Sequence, residues 1–240
     1  MKLYFAGTSH GVPEKDRACT STLVEVGGKY YAFDAGSPLV DAMRRWDAHP
    51  NDLAAIFITH VHSDHVAGLP GATDLFTWYY KESDPIIHTP EQRLLDGLLA
   101  WNTMLYGDRA RHFRSVVFEE GMIYDDGTLR VTAVRTQHVA YSYAFVLEAE
   151  GKRVLISGDL KHPALDFPAP CFTDSFDAII TECAHFNADV YAPVFDRCLC
   201  KRFFLNHVAP ARLSGLEVLT APEKPYTVKV LSDGEVLELA

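Results

Sequence analysis

The chain has 240 residues, 48% of them hydrophobic, which is enough for one substantial core. Its formal net charge of −10 argues against a long polyanionic partner, because nucleic-acid binders present a basic face. No run approaches the roughly 18–20 apolar residues of a membrane span, and the opening apolar run is too short for a signal peptide. The five cysteines are odd in number and lack paired CxxC spacing, so they read as reduced thiols of a cytoplasmic protein. Cys198 and Cys200 are expected to pack rather than bind metal. No linker, charge block or repeat divides the chain, and residues 1–240 read as one domain. Residues 109–114 are the one local basic stretch.

In chain order, residues 3–7 predict a strand that runs into a glycine-bounded loop ending at Pro13. Residues 19–26 and 29–34 predict two strands around Gly27-Gly28, a hairpin signal. Ser37 and Pro38 are expected to cap a helix reaching about Trp46. Residues 53–58, Leu-Ala-Ala-Ile-Phe-Ile, read as a buried strand. Thr-His-Val-His-Ser-Asp-His follows at 59–65, and Gly68, Pro70 and Gly71 mark the turn beyond it. His60 and His62 are two apart, which in extended chain puts both imidazoles on one face. Asp64 and His65 lie in the turn and can aim at a second point. Imidazole with carboxylate suits zinc, iron or manganese in an open, catalytic site.

Phe76, Trp78, Tyr79 and Tyr80 cluster next; core packing is expected, with a pocket wall or a homodimer face as the alternatives. Thr89-Pro90-Glu91-Gln92 has capping-box spacing, and Leu94, Leu98, Trp101 and Leu105 continue as a core-facing helix stopped by Gly107. Residues 129–137 alternate apolar and polar up to His138. Residues 154–158 form a buried run ending in glycine before Asp159, and 203–206 lead to His207. These runs end at His138, Asp159 and His207, at the edge where α/β sheets place their sites. Another strand, 175–182, reaches Glu182 and leads to His185. Residues 226–230 and 236–239, either side of Ser232-Asp233-Gly234, predict a closing hairpin. His10, His49, His88, His112 and His162 read as loop histidines, with His10 nearest the site.

The pattern His-x-His-x-Asp-His, with His138, Asp159 and His207 downstream, resembles the metal motif of the metallo-β-lactamase superfamily. Gly-Thr-Ser-x-Gly-Val-Pro at 7–13, Ser-Thr-Leu-Val-Glu at 21–25 and Phe-Asp-Ala-Gly at 33–36 resemble its phosphodiesterase branch: tRNase Z and short relatives that open small cyclic phosphates. The resemblance implies an α/β fold, a four-layer αββα metallo-β-lactamase sandwich. It implies two divalent metal ions, zinc first, with manganese or iron as alternatives. His60, His62 and His138 would hold the first, Asp64, His65 and His207 the second, and Asp159 would bridge them. Asp34 would orient metal ligands. Among catalytic groups, Asp64 and Glu182 match the family. Its proton-relay histidine, in a His-Ser-Thr setting, has no counterpart here. His185 stands nearest, with a hydrogen bond to Glu182 or to backbone as its structural alternative.

Two divalent cations lower the pKa of a shared water and clamp the oxygens of an in-line displacement. Seven ligands carrying two negative charges leave the pair net positive, which favours an anionic phosphodiester over a neutral lactone. The expected function is therefore a phosphodiesterase using a dinuclear metal-activated hydroxide on a small anionic phosphate ester. Alternatives are an ester, lactone or thioester hydrolase of the same fold, and an iron-dependent oxidoreductase. Against the latter, His62 stands where flavin-linked relatives carry glutamate. A non-catalytic binding protein is disfavoured because all seven ligands are present. The interval between His138 and Asp159 has no room for the projecting arm with which tRNase Z grips tRNA, so no tRNA partner and no membrane partner is expected.

Overall fold

Strands that are apolar on both faces need cover on both sides. The computed structural model, which describes residues 1–240, supplies that cover in four layers. One sheet runs β1 (Lys2–Gly7), β2 (Ser21–Val26), β3 (Lys29–Phe33), β4 (Leu53–Phe57), β5 (Ile86–Thr89) and β6 (Ser115–Val117) in spatial order. The second runs β7 (Gly121–Asp125), β8 (Arg130–Arg135), β9 (Tyr143–Ala149), β10 (Lys152–Ile156), β11 (Ala178–Cys183), β12 (Arg202–Val208) and β13 (Thr227–Val230). A last strand, β14 (Val236–Glu238), returns to the first sheet beside β1. Outside the first sheet lie α1 (Leu39–Arg45), α3 (Leu69–Trp78) and α4 (Gln92–Tyr106), with the single turn α2 (Ser63–Val66) between α1 and α3.

The two-residue period of the strands divides the apolar side chains among three cores. Phe5, Val24, Phe33 and Phe57 meet Val131, Phe145, Leu147 and Ile156 between the sheets. Leu23, Ala32 and Ile56, on the other face of the first sheet, pack under Leu39, Met43, Phe76 and Leu98 of the helices. Val146, Leu155, Ile179 and Leu205, on the far face of the second, pack under Tyr191 and Phe195. The αββα sandwich expected from the sequence is the observed architecture, and the Gly27-Gly28 hairpin closes with both glycines at positive φ (57° and 78°), where a β-carbon would be strained.

Several local expectations give way to tertiary context. The predicted closing hairpin does not form: β13 pairs parallel with β12 and β14 antiparallel with β1, so the chain between them crosses from one sheet to the other. Each run covers a sheet edge that would otherwise stay open. Asp233 pins the crossing by accepting from Thr8 N, Thr8 Oγ1 and Ala18 N at 2.7–2.8 Å. Ser37 makes no cap hydrogen bond to α1, which starts behind Pro38. The capping box at Thr89 is also absent, since Thr89 is the last residue of β5 and pairs with Val117, and α4 begins two residues past Pro90.

The aromatic cluster divides: Phe76 lies in the core and Tyr80 packs against it, while the other two do not. Phe76 is buried, but Trp78 and Tyr79 are exposed. In α4 only Leu98 and Asn102 are buried, and Trp101 and Leu105 face outward. The Asn102 amide hydrogen-bonds Thr77 Oγ1 at 2.8 Å and Thr73 Oγ1 at 3.2 Å, so α4 docks on α3 through polar contacts as well as through Leu98, with Leu94 and Leu95 partly buried beside it. The basic stretch is likewise internal wiring, since Arg111 and Arg114 both pair with Asp84, at 2.8 and 2.6 Å.

His88 is not a loop histidine. It lies in β5, buried, stacked on Phe57 (4.8 Å) with Tyr124 edge-on (5.3 Å), and neither ring nitrogen has a partner. Burial pushes its pKa down from 6.5 to about 4. Between those values the unfolded chain binds a proton that the folded chain refuses, so stability falls as pH drops from 6.5 toward 4. The loss should reach roughly 3 kcal/mol, and His88→Phe should abolish it. Urea denaturation of both proteins from pH 7 to pH 4.5 measures this. Because the site histidines are common to both, the difference isolates His88, and a constant difference across the range would refute the assignment.

Candidate metal centre

The site lies where β4, β8, β10 and β12 end at one edge of the sandwich. Beyond β4 the chain stays extended through His60 and His62 and then turns into α2, which carries Asp64 and His65. His60 Nε2 approaches His62 Nδ1 to 3.0 Å, and His138 Nε2 lies 3.3 Å from the same Nδ1. Asp159 Oδ2 stands 3.7 Å from His60 Nε2 and 3.6 Å from His138 Nε2. On the other side, His65 Nε2 is 3.5 Å and His207 Nε2 3.7 Å from Asp64 Oδ2. Both also face Asp159, at 3.4 Å each. All seven residues singled out in the sequence therefore converge in two sets, with the Asp159 carboxylate between them.

The donor set fits divalent metal. Nitrogens bound about 2.0–2.1 Å from a tetrahedral zinc sit roughly 3.3–3.4 Å apart, close to the spacings seen here. Three imidazole nitrogens turned toward one point repel unless a cation lies among them. His65 Nε2 and Asp159 Oδ1 are buried with no hydrogen-bond partner, a costly arrangement that a bound cation relieves. The electrostatics run the same way. Burial and the neighbouring His65 hold His60 well below its ordinary pKa, in the neutral form that ligates. Burial opposes ionisation of Asp159, but the charge and hydrogen bonds of His207 and His65 outweigh it. At His65 burial lowers the pKa, but Asp159 and Asp34 raise it well above the ordinary value, so a cation taken there displaces a proton.

Asp34 occupies the position expected of it. Its carboxylate accepts from Thr59 N at 2.8 Å, from Thr59 Oγ1 at 2.8 Å and from His65 Nδ1 at 2.7 Å. Nδ1 therefore carries a proton, and Nε2 is the nitrogen turned toward the site. Asp34 and His207 both have positive φ, 56° and 49°, as do Asp47 and Glu150 at turns outside the ligand set. Gly36 lets α2 approach, since a β-carbon there would lie 1.7 Å from the Asp64 carbonyl oxygen.

Glu182 is fully buried. Its Oε1 accepts from Leu160 N at 2.6 Å, next to Asp159, and its Oε2 accepts from His185 N and from His185 Nδ1 at 2.7 Å. His185 thus has the hydrogen bond to Glu182 and also faces the site, with Nε2 3.9 Å from Asp159 Oδ2 and the ring 4.7 Å from that of His138. The hydrogen bond to Glu182 raises its pKa against the lowering effect of burial. His10 turns to Glu14 at 3.2 Å, while Gly11 of the same loop lies against Asp64. Cys198 and Cys200 are buried in the outer core and join no metal-competent group.

One positioning residue was missed. Asp166 is nearly buried, and its carboxylate accepts from Gln137 N (2.7 Å), Lys161 N (2.9 Å) and His162 N (3.0 Å). It ties the loop of His138 to the loop of Asp159. Its only sequence signal was the proline at 163, which opens a short turn around it.

A family model described as "Anti-Pycsar protein Apyc1" matches residues 1–198. Ribonuclease Z of Methanocaldococcus jannaschii is 28% identical over 168 residues, 69% of this chain and 50% of that protein. Ribonuclease Z of Shouchella clausii is 35% identical over 162 residues, 63% of this chain and 49% of that one. The chain spans about half the length of these curated relatives. The short form of human tRNase Z superposes with a TM-score of 0.78 at 20% identity, covering 100% of both chains. YhfI, a metallo-β-lactamase fold protein of Bacillus subtilis, gives 0.76 at 18% identity over 98% of each. These structures share the fold.

Proposed function

The chain belongs to the anti-Pycsar Apyc1 family, and from that premise we propose that it is a metal-dependent phosphodiesterase acting on a small anionic phosphodiester. The observation that carries this reading is the Asp159 carboxylate, set 3.4–3.7 Å from imidazole nitrogens of both ligand sets. We assign His60, His62 and His138 to one ion, Asp64, His65 and His207 to the other, and Asp159 to both. Five imidazoles with two carboxylates favour zinc, with manganese or iron as alternatives. Bound in this way, two divalent ions supply a low-pKa water and clamp the attacking and leaving oxygens of a displacement.

The chain's own residues supply the rest. The ligand sets sum to two negative charges against two dications, so the site draws an anionic diester. Asp34 holds the His65 proton at Nδ1, away from the site. His185, held at Nδ1 by Glu182, presents Nε2 where a leaving oxygen can take its proton. We place residues 1–240 as one domain in the cytoplasm, where five free thiols stay reduced. No helix is long and apolar enough to cross a membrane. We infer no role on tRNA, because only the β9–β10 hairpin separates His138 from Asp159.

Elemental analysis of metal-replete protein should give two ions per chain; one ion or fewer would sink the binuclear reading. The same protein should hydrolyse a phosphodiester in preference to a phosphomonoester, lactone or thioester. A lactone or thioester preference would overturn the substrate class and leave the metal site standing.

A further inference from the structure

We propose that Asn206 positions the metal ligand His207 through one water molecule enclosed beneath the metal centre. This rests on the reading of His207 as a ligand and adds to it the partner of its second ring nitrogen. An irregularity in β12 brings the two side chains together. The two-residue period turns Phe204, and with it Asn206, toward the space between the sheets, and sends Phe203 and Leu205 to the outer core. By that period His207 would face outward with Leu205. It does not, because β12 shifts register there, with Asn206 opposite Glu182 and Val208 opposite Cys183. His207 is the extra residue of a bulge, at φ 49°, and Val208 takes the outward place.

Both side chains therefore line one cavity of about 20 Å³, walled by Phe33, Ile156 and Ile180 of the core between the sheets. A space of that size admits one water, which needs two or more polar partners. The partners are in place. His207 turns Nε2 to Asp64 and Asp159, so Nδ1 lies on the far side of the ring from the metal centre. Nδ1 and Asn206 Oδ1 are both buried, and neither has a hydrogen-bond partner in the protein. Asn206 Nδ2 donates to Thr20 Oγ1 at 3.5 Å, which leaves Oδ1 to accept.

A water between them accepts from the His207 Nδ1 proton and donates to Asn206 Oδ1. Imidazoles that bind metal have such a partner on the second nitrogen, which fixes the ring. Asp34 is that partner for His65, at 2.7 Å. Asn206 and the water serve His207 in the same way.

Zinc affinities measured by chelator competition test this. Asn206→Leu keeps the size and removes the acceptor, so it should weaken one of two zinc ions roughly 10- to 100-fold and leave the other unchanged. Asn206→Asp keeps an accepting oxygen and should hold both ions within about threefold of wild type, or tighter. Unchanged affinities in the leucine variant, an equal loss of both ions, or an aspartate variant as weak as leucine each overturn the positioning role. If the leucine variant does not fold, NMR of zinc-loaded wild type decides. The His207 Nδ1 proton, assigned by its loss in His207→Ala, should show a nuclear Overhauser contact to water. Without that contact the proposal falls. A wild type that takes up a single zinc would end the binuclear reading, and the same contact to water would leave the assignment of Asn206 standing.

Discussion

Asp159→Ala is expected to lose activity by at least roughly 10³-fold while both sheets stay folded. Asp159 sits just past the end of β10 and contributes to none of the three apolar cores, so its truncation leaves their packing intact. What it removes is the one carboxylate facing His60, His138, His65 and His207 together. With it gone, nothing fixes the spacing of the two ligand sets, and the site loses one of its two negative charges. Losing about 4 kcal/mol of transition-state stabilisation is enough for a thousandfold effect. Asp159→Asn keeps the shape and removes only the charge, so it should fall between wild type and the alanine variant. Steady-state kinetics, elemental analysis and circular dichroism on the same preparations decide the matter. Near-native turnover with two ions retained would mean that Asp159 does not join the sets.

The second large effect is expected at His185, and it should depend on the leaving group. Displacement at a phosphodiester must protonate a poor leaving alcohol, and a positioned histidine contributes about 10²–10⁴-fold to such a step. Nitrophenolate leaves without a proton. His185→Ala should therefore slow an alkyl phosphodiester by about that factor and a nitrophenyl one far less, with metal content unchanged. Geometry supports the role, since Glu182 orients Nδ1 at 2.7 Å and turns Nε2 toward the space above Asp159. Equal losses on both substrates would reduce His185 to a packing or binding residue. Loss of an ion would make it a ligand, a reading its grouping with Asp159 and His207 makes available. Glu182 is a poorer probe, because it also holds Leu160 N beside Asp159, so its removal disturbs two residues at once.

The candidate ligands were legible in the sequence for a simple reason. His60, His138, Asp159 and His207 stand near the ends of apolar runs that read as strands, Asp64 and His65 follow in the turn, and the family resemblance says which of these belong to one site. The two-residue period then determines which side chains share a face, so that His60 and His62 could be paired before any fold was known. The αββα layering came instead from the resemblance of the metal motif to the metallo-β-lactamase superfamily; runs as continuous as residues 53–58 say only that a strand is covered on both faces. The role of Asp34 came from the resemblance carried by Asp-Ala-Gly, and the structure supplies its partner, His65 Nδ1 at 2.7 Å.

Other features depended on partners distant in the chain, and spacing does not encode those. The last two apolar runs were read correctly as strands, but whether they pair with each other depends on the competing edges at β1 and β12. Trp101 and Leu105 have core spacing, yet α4 docks through Leu98 and the Asn102 hydrogen bonds and leaves them in solvent. His88 carries no mark of burial until Phe57 and Tyr124 close on its ring. Asp166 is one acidic residue among 32 until three backbone amides from two loops converge on it. Periodicity is a property of neighbours along the chain and determines which face a residue occupies. What covers that face is a competition among remote segments for the same buried area and the same unpaired hydrogen-bonding groups, and only the tertiary structure settles it.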